Sequence, residues 1–279
     1  MDKPNVASLR ARREGVNRGR WWGVGGVPAS LPTRRFHLIG ICLPKTGTTS
    51  LADLFQPFRW GHEFLFAESV ERLIAWKAGR LGHDGMRCWL ASRAEAGALE
   101  LDSASFNHYF MDILVELHPA ARFVYTRRDA VSWADSLLNM ALRYGGGHPA
   151  YDEGWPEWLV ALGRLMAPSF DPGHFASPEH LRLALRPLAE ELLEFYARAT
   201  ARIEAALPPE RSLVIPTDGL STHLDTLAAF AGLPRSALNT AGSHANRGHS
   251  KIPLVAALPD LPRLLARNGL GRLEAHRPH

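Results

Sequence analysis

Seven consecutive residues, Pro44-Lys45-Thr46-Gly47-Thr48-Thr49-Ser50, gather one lysine, one glycine and four hydroxyl side chains immediately after the apolar run from Phe36 to Leu43. That composition suits a phosphate. At a strand-to-helix turn, unpaired N–H groups and the helix dipole favour an anion, glycine lets the backbone approach it, and a lysine adds a point charge. Lysine stands at only four positions, 3, 45, 77 and 251, so its presence inside this loop carries weight. The order of residues excludes a Walker loop, which reads G-x-x-x-x-G-K-[ST], because Lys45 precedes Gly47. The bland alternative is a polar turn capped by Thr48 or Thr49.

A second anion-binding pair is Arg128 with Ser136, in YTRRDAVSWADS. A guanidinium offers a fork of charge-assisted hydrogen bonds, and a hydroxyl on the following helix adds a donor. Arg127 takes the role of Arg128 if the strand register differs by one residue, and Ser132 lies one turn before Ser136. An ion pair of Arg128 with Asp129 or Asp135 is the competing reading.

Proton acceptors occur at His62-Glu63 and at Asp102. Neighbouring residues of an extended chain point to opposite sides, so only one of His62 and Glu63 faces a shared ligand. Asp102, in ELDSAS, instead serves equally as a cap for a helix starting near Asn107. No H-x-x-x-H or H-E-x-x-H spacing suggests a metal site.

The elements that must position these residues alternate. Buried-strand patterns cover Phe36 to Leu43, Arg122 to Thr126 and Ser212 to Pro216, with Ala98 to Leu101 as a fourth and a further strand expected around Arg59 to Leu65. Helical patterns follow at Leu51 to Phe55, Ala130 to Leu142, Pro178 to Leu207 and Leu224 to Ala231. Strands alternating with helices predict an α/β fold in three layers, a central mostly parallel sheet flanked by helices, with ligands at the C-terminal ends of the strands. Both anion motifs fall at such ends.

The loop PKTGTTSL resembles the 5'-phosphosulfate-binding loop of the sulfotransferase family, written P-K-[ST]-G-T-[ST]-x-L. The resemblance implies a P-loop-like fold and, as donor, 3'-phosphoadenosine 5'-phosphosulfate, which leaves as adenosine 3',5'-bisphosphate. It assigns Lys45, Thr46, Gly47, Thr48, Thr49 and Ser50 to the 5' end of the donor, with Lys45 at the departing oxygen. Arg128 and Ser136 resemble the family's 3'-phosphate motif. Phe230, Gly232, Leu233 and Pro234 match its F-x-G-L-P, whereas Thr217-Asp218 stands where Tyr-Glu-Asp is usual, which leaves an adenine contact from Thr217 open. SHANRGHSKIP, with Arg247 and Gly248, resembles a shortened form of the loop that reaches back over the donor's phosphates. Family branches place the base after the second strand, which favours Glu63, then His62; others carry it near Asp102. Sulfuryl transfer asks for no metal, since the group carries less charge than a phosphoryl group.

The implied reaction is sulfuryl transfer to a hydroxyl or amine of a small-molecule or carrier-bound acceptor that the sequence does not identify. The alternatives are a P-loop small-molecule kinase and a non-catalytic protein binding adenosine 3',5'-bisphosphate. The net charge of +4 over 279 residues suits anionic ligands without requiring nucleic acid. Two cysteines, Cys42 and Cys88, make no disulfide framework, and no apolar stretch suits a membrane span or signal peptide, so a cytoplasmic protein is expected. Arginine's dominance over lysine points to a GC-rich coding sequence and a bacterial origin. Oligomeric state is not legible. Residues 1–35, rich in Arg, Gly and Pro, read as a flexible basic arm, and 36–279 as one sulfotransferase domain. The segment Gly145 to Phe175, with Tyr151, Trp155 and Trp158, reads equally as an aromatic lid or a packed connection.

Overall fold

The apolar runs at residues 36–43 and 122–126 become strands buried on both faces, as the interior of a parallel sheet requires. The computed structural model describes residues 24–25, 34–145, 155–240 and 252–270. The strands are β1 (Val24–Gly25), β2 (Leu38–Ile41), β3 (Trp60–His62), β4 (Leu101–Ala104), β5 (Arg122–Arg127) and β6 (Ser212–Pro216). They form one sheet in the order β1-β3-β4-β2-β5-β6. From β3 to β6 every pair is parallel, and β1 joins antiparallel to β3 at the edge.

The helices of this sheet unit, which comprises residues Met1–Arg127 and Ala205–Gly248, are α1 (Thr48–Leu54), α2 (Phe66–Lys77), α3 (His83–Gly97), α4 (Met111–Leu117) and, after β6, the helix Leu224–Ala231. The period-two alternation of a strand divides its side chains between two layers. Leu38, Leu101, Val124 and Ile215 pack with Leu51 and Leu54 of α1 and with Leu224, Leu227 and Ala228 of the last helix. Ile39 and Asp102 point the other way, to Leu90 and Ala94 of α3 and Leu114 of α4. Gly40 lets α1 settle on the sheet, because a Cβ there would lie 3.3 Å from the Cα of Ser103 and 3.4 Å from a methyl of Leu51.

The second compact unit comprises Arg128–Glu204 and His249–His279. Its helices are α5 (Ala130–Gly145), α6 (Glu157–Met166), α7 (Pro178–Ala206) and α9 (Leu261–Arg267), with Leu224–Ala231 of the sheet unit counted as α8. Trp155 packs on Tyr144, Phe170 and Phe175 with ring centroids 6.2, 5.5 and 5.9 Å away, so the described part of the segment 145–175 is a packed connection. Tyr151 lies outside the described residues.

Three expectations shift. β4 begins at Leu101, three residues later than the apolar pattern indicates, because the strand is built from LDSA with both polar side chains partnered. α1 starts at Thr48 instead of Leu51, with Gly47 as its N-cap at φ 98° and no side-chain cap. Residues within the first 35 contribute to the sheet: β1 extends its edge, and the buried carboxylate of Glu100 accepts from the guanidinium of Arg35 at 2.7 and 2.9 Å. Among the described residues no helix is long and apolar enough to cross a membrane.

Candidate active site

Five parallel strands end on one edge of the sheet, and the turns that leave them carry the site. After β2, Lys45 takes a left-handed conformation at φ 65°, as does Gly47 at φ 98°. A Cβ on Gly47 would meet a methyl of Thr217 at 3.2 Å and one of Leu220 at 3.1 Å. The first helical hydrogen bond of α1 runs from Leu51 N–H to Gly47 C=O. The N–H groups of the preceding turn therefore lie ahead of the helical ladder.

The hydroxyls of this loop divide into two groups. Thr46, expected among the ligands, is buried: its N–H and hydroxyl both donate to Leu43 C=O, at 3.3 and 2.8 Å, and Oγ1 lies 3.2 Å from the Thr126 hydroxyl. Thr126 in turn sits 2.9 Å from Sγ of Cys42, a buried thiol whose pKa burial raises to about 11. Thr46 thus shapes the loop from within. Thr48 and Thr49 turn towards β3, where Nε2 of His62 lies 3.1 Å from Oγ1 of Thr48 and 3.3 Å from Oγ1 of Thr49. Ser103 of β4 donates to Thr48 C=O at 3.0 Å. Ser50 is buried at the third position of α1.

Glu63 follows β3 in a left-handed conformation at φ 54°, with Leu65 at φ 53° two residues on. Two non-glycine residues in that region mark a strained turn of the kind found at functional sites. Its N–H donates to Ser103 C=O at 3.0 Å, and Ser105 N–H donates to its Oε1 at 2.9 Å. Glu63 is 6% exposed, and Oε2 has no hydrogen-bond partner among the described residues. Burial pushes its pKa up to about 7, against the opposing effect of the Ser105 hydrogen bonds. His62 and Glu63 are separated by 3.9 Å between Nε2 and Oε1.

Asp102 faces the opposite layer. Its two oxygens receive a guanidinium fork from Arg93 of α3, at 2.5 and 2.9 Å, and Arg93 Nε donates to Phe64 C=O at 3.0 Å. Asp102 therefore neither caps the helical turn at Asn107–Phe110 nor presents an open carboxylate; through Arg93 it braces the turn that carries Glu63. Thr217, after β6, donates its hydroxyl towards Thr46 C=O at 2.7 Å and Arg127 C=O at 3.0 Å.

In the second unit, Asp129 caps α5 by accepting Ser132 N–H at 2.7 Å, and Asp135 accepts Val255 N–H at 2.6 Å. The two carboxylates that compete on paper for Arg128 are thus engaged by backbone. Arg128 is held by its carbonyl, which accepts the hydroxyl of Tyr196 from α7. Ser136 is 2% exposed, and its Oγ has no hydrogen-bond partner among the described residues. A buried hydroxyl without a partner is costly unless an acceptor reaches it. Arg247 and Gly248 lie outside the described residues. No cluster of His, Cys, Asp and Glu among the described residues has metal-holding geometry.

Sequence reasoning passed over Ser105, Arg93 and the bracing role of Thr217. Ser105 and Thr217 act through backbone groups, which leave no pattern in a sequence; the eventual pairing of Arg93 with Asp102 depends on two elements meeting in space.

A parallel α/β sheet with a basic, hydroxyl-rich turn after β2 and a buried carboxylate after β3, two places along the sheet with β4 between, defines a P-loop-like group-transfer fold. The family model described as "Sulfotransferase domain" matches residues 37–235, and the chain belongs to that family. Solved structures similar to it include the sulfotransferase from Alicyclobacillus acidocaldarius, 14% identical, covering 88% of this chain and 97% of that one at a TM-score of 0.48. The sulfotransferase domain from the curacin biosynthetic pathway is 15% identical over 86% of this chain and 99% of its own, with a TM-score of 0.36. The sulfotransferase domain from the Synechococcus PCC 7002 olefin synthase is 12% identical over 92% of this chain and 100% of its own, with a TM-score of 0.38. No curated protein matches the sequence.

Proposed function

We propose that this sulfotransferase takes its sulfuryl group from 3'-phosphoadenosine 5'-phosphosulfate and passes it to a hydroxyl or amine of a small-molecule or carrier-bound acceptor, in the cytoplasm. The observation that carries the reading is the buried, partly unpartnered carboxylate of Glu63, with its pKa raised to about 7, at the same sheet edge as the Lys45 loop with only β4 between their strands.

The donor, when bound, supplies a sulfuryl group already activated by a phosphate leaving group. Lys45 and the N–H groups of the loop at 47–50 hold its 5' end, where the ammonium offsets charge that builds on the departing oxygen. Thr48 and Thr49, oriented by His62, line the same turn. Arg128 and Ser136 take the 3'-phosphate, and the unpartnered hydroxyl of Ser136 fits that role. Glu63 accepts the acceptor's proton at Oε2 as the acceptor atom bonds to sulfur and the bond from sulfur to the phosphate oxygen breaks. A carboxylate with a pKa near the working pH is well matched to proton transfer at neutrality. The same buried base argues against a protein that only binds the nucleotide, since ionising it there costs stability without a catalytic return.

The test combines calorimetry and turnover. The chain is expected to bind adenosine 3',5'-bisphosphate at least about tenfold more tightly than adenosine 5'-monophosphate, from one or two charge-assisted hydrogen bonds. It is also expected to label at least one member of an acceptor panel from a radiolabelled sulfate donor. Equal affinity for both nucleotides together with no labelled product overturns the reading.

A further inference from the structure

We infer that Thr217 is a positioning residue for the donor-binding loop, a hydroxyl clamp that fixes the backbone of Thr46 and so sets where the N–H groups from Gly47 onward point. The inference rests on the donor assignment proposed above.

The loop leaves β2 through two left-handed residues, Lys45 and Gly47, on either side of Thr46. A left-handed non-glycine residue such as Lys45 is strained and persists only where the surrounding structure over-determines it. The side chain of Thr46 is fixed from inside the sheet by Leu43 C=O and Thr126. Its own carbonyl points the other way, and there it accepts the Thr217 hydroxyl at 2.7 Å. That hydroxyl also lies 3.0 Å from Arg127 C=O, the last residue of β5. One side chain thereby links the loop that follows β2 to the ends of β5 and β6. The γ-methyl of Thr217 does a second job, since it lies 3.2 Å from where a Cβ on Gly47 would stand and so closes the back of the loop. Both halves of a threonine are used, the hydroxyl on a carbonyl and the methyl on a glycine.

The consequence is a specific expectation for catalysis. If the carbonyl of Thr46 is released, the peptide joining Thr46 to Gly47 can turn, and the N–H that it carries moves away from an anion. Donor affinity and turnover then fall while the base and the acceptor side are untouched. Thr217 touches neither donor nor acceptor in this account; it acts through the loop.

The decisive comparison is Thr217→Val, which keeps shape and removes the hydroxyl, against Thr217→Ser, which keeps the hydroxyl and removes the methyl. Thr217→Val is expected to weaken adenosine 3',5'-bisphosphate binding and raise the donor KM by about tenfold, the scale of one or two lost hydrogen bonds. Acceptor KM should stay unchanged, and Thr217→Ser should stay within about threefold of wild type, less than half of that free-energy change. The inference falls if Thr217→Val binds the nucleotide as wild type does, if Thr217→Ser is as defective as Thr217→Val, or if donor and acceptor KM rise together. Should Thr217→Val fail to fold, Thr217→Ala against Thr217→Ser makes the same comparison. Wild-type binding separates the two levels: no affinity for the bisphosphate in the unaltered protein sinks the donor assignment, whereas binding that Thr217→Val does not disturb sinks only the clamp.

Discussion

Nε2 of His62 lies 3.9 Å from Oε1 of Glu63, yet the two side chains serve different partners. His62 engages the hydroxyls of Thr48 and Thr49, while Glu63 is fixed by Ser105 N–H and keeps Oε2 without a partner among the described residues. The imidazole is tied to the loop, and the carboxylate keeps one oxygen open.

Glu63→Gln should therefore lower kcat by roughly 10²–10⁴, the usual contribution of a positioned base, with nucleotide affinity near normal. The wild-type rate should rise with pH through about 7, as the carboxyl loses its proton. A histidine base would give a limb near its ordinary ~6.5, so the pH profile cannot separate the two by itself. The variants can, because His62→Gln should retain the limb with a smaller loss. A collapsed rate in His62→Gln beside a near-normal Glu63→Gln would give the role to His62. Stability should move oppositely to activity. The folded carboxyl holds its proton up to about 7, whereas an unfolded one releases it near 4.5, so this group's contribution to stability declines between those values. Glu63→Gln escapes that decline and should melt higher than wild type above pH 7, a comparison that differential scanning calorimetry makes directly.

Lys45→Ala should lower kcat by about 10²–10³ if the ammonium acts mainly on charge that develops at the departing oxygen. Binding of adenosine 3',5'-bisphosphate should weaken far less. Equal losses in both would make Lys45 a tether for the donor and nothing more.

Ser136→Ala tests the 3'-phosphate. A buried hydroxyl with no partner among the described residues contributes little to stability, so the variant should fold as well as wild type. Its affinity for adenosine 3',5'-bisphosphate should fall by about tenfold, the scale of one charge-assisted hydrogen bond, while affinity for adenosine 5'-monophosphate stays the same. Loss of affinity for both nucleotides would place Ser136 in the packing of α5 instead.

The loop at 44–50 and the strand before it were legible because buried parallel strands write themselves as unbroken apolar runs, and FHLIGICL followed by PKTGTTS is such a run with its punctuation. β4 was legible only in part. Its central residues, Asp102 and Ser103, are polar and buried, and what licenses their burial is Arg93 on α3, outside the strand's own pattern, together with the Thr48 carbonyl. β3 is three residues long, too short for periodicity to show. The raised pKa of Glu63 was not legible, since a glutamate beside a histidine looks the same in sequence whether it is buried or exposed.

Asp102 is a carboxylate in β4 that by position alone competes with Glu63 for the proton. Its side chain is 11% exposed and that of Arg93 is 3%, and the pair is bidentate. Removing one partner of such a pair leaves an unbalanced buried charge, which typically costs ~3–5 kcal/mol, whereas replacing both by apolar groups is often neutral. Asp102→Asn should thus lower Tm by roughly 6–15 °C for a chain of this size. At a temperature where it is still folded, its rate per folded molecule should stay within a few-fold of wild type. The double variant Arg93→Met, Asp102→Leu should regain most of the lost Tm. It should not regain the full rate, because the Phe64 carbonyl loses the Arg93 Nε–H and the strained turn bearing Glu63 loosens. If Asp102→Asn instead melts like wild type and loses its rate by 10²-fold or more, the scale of a missing base, then Asp102 takes the proton and the acceptor lies on the layer of α3.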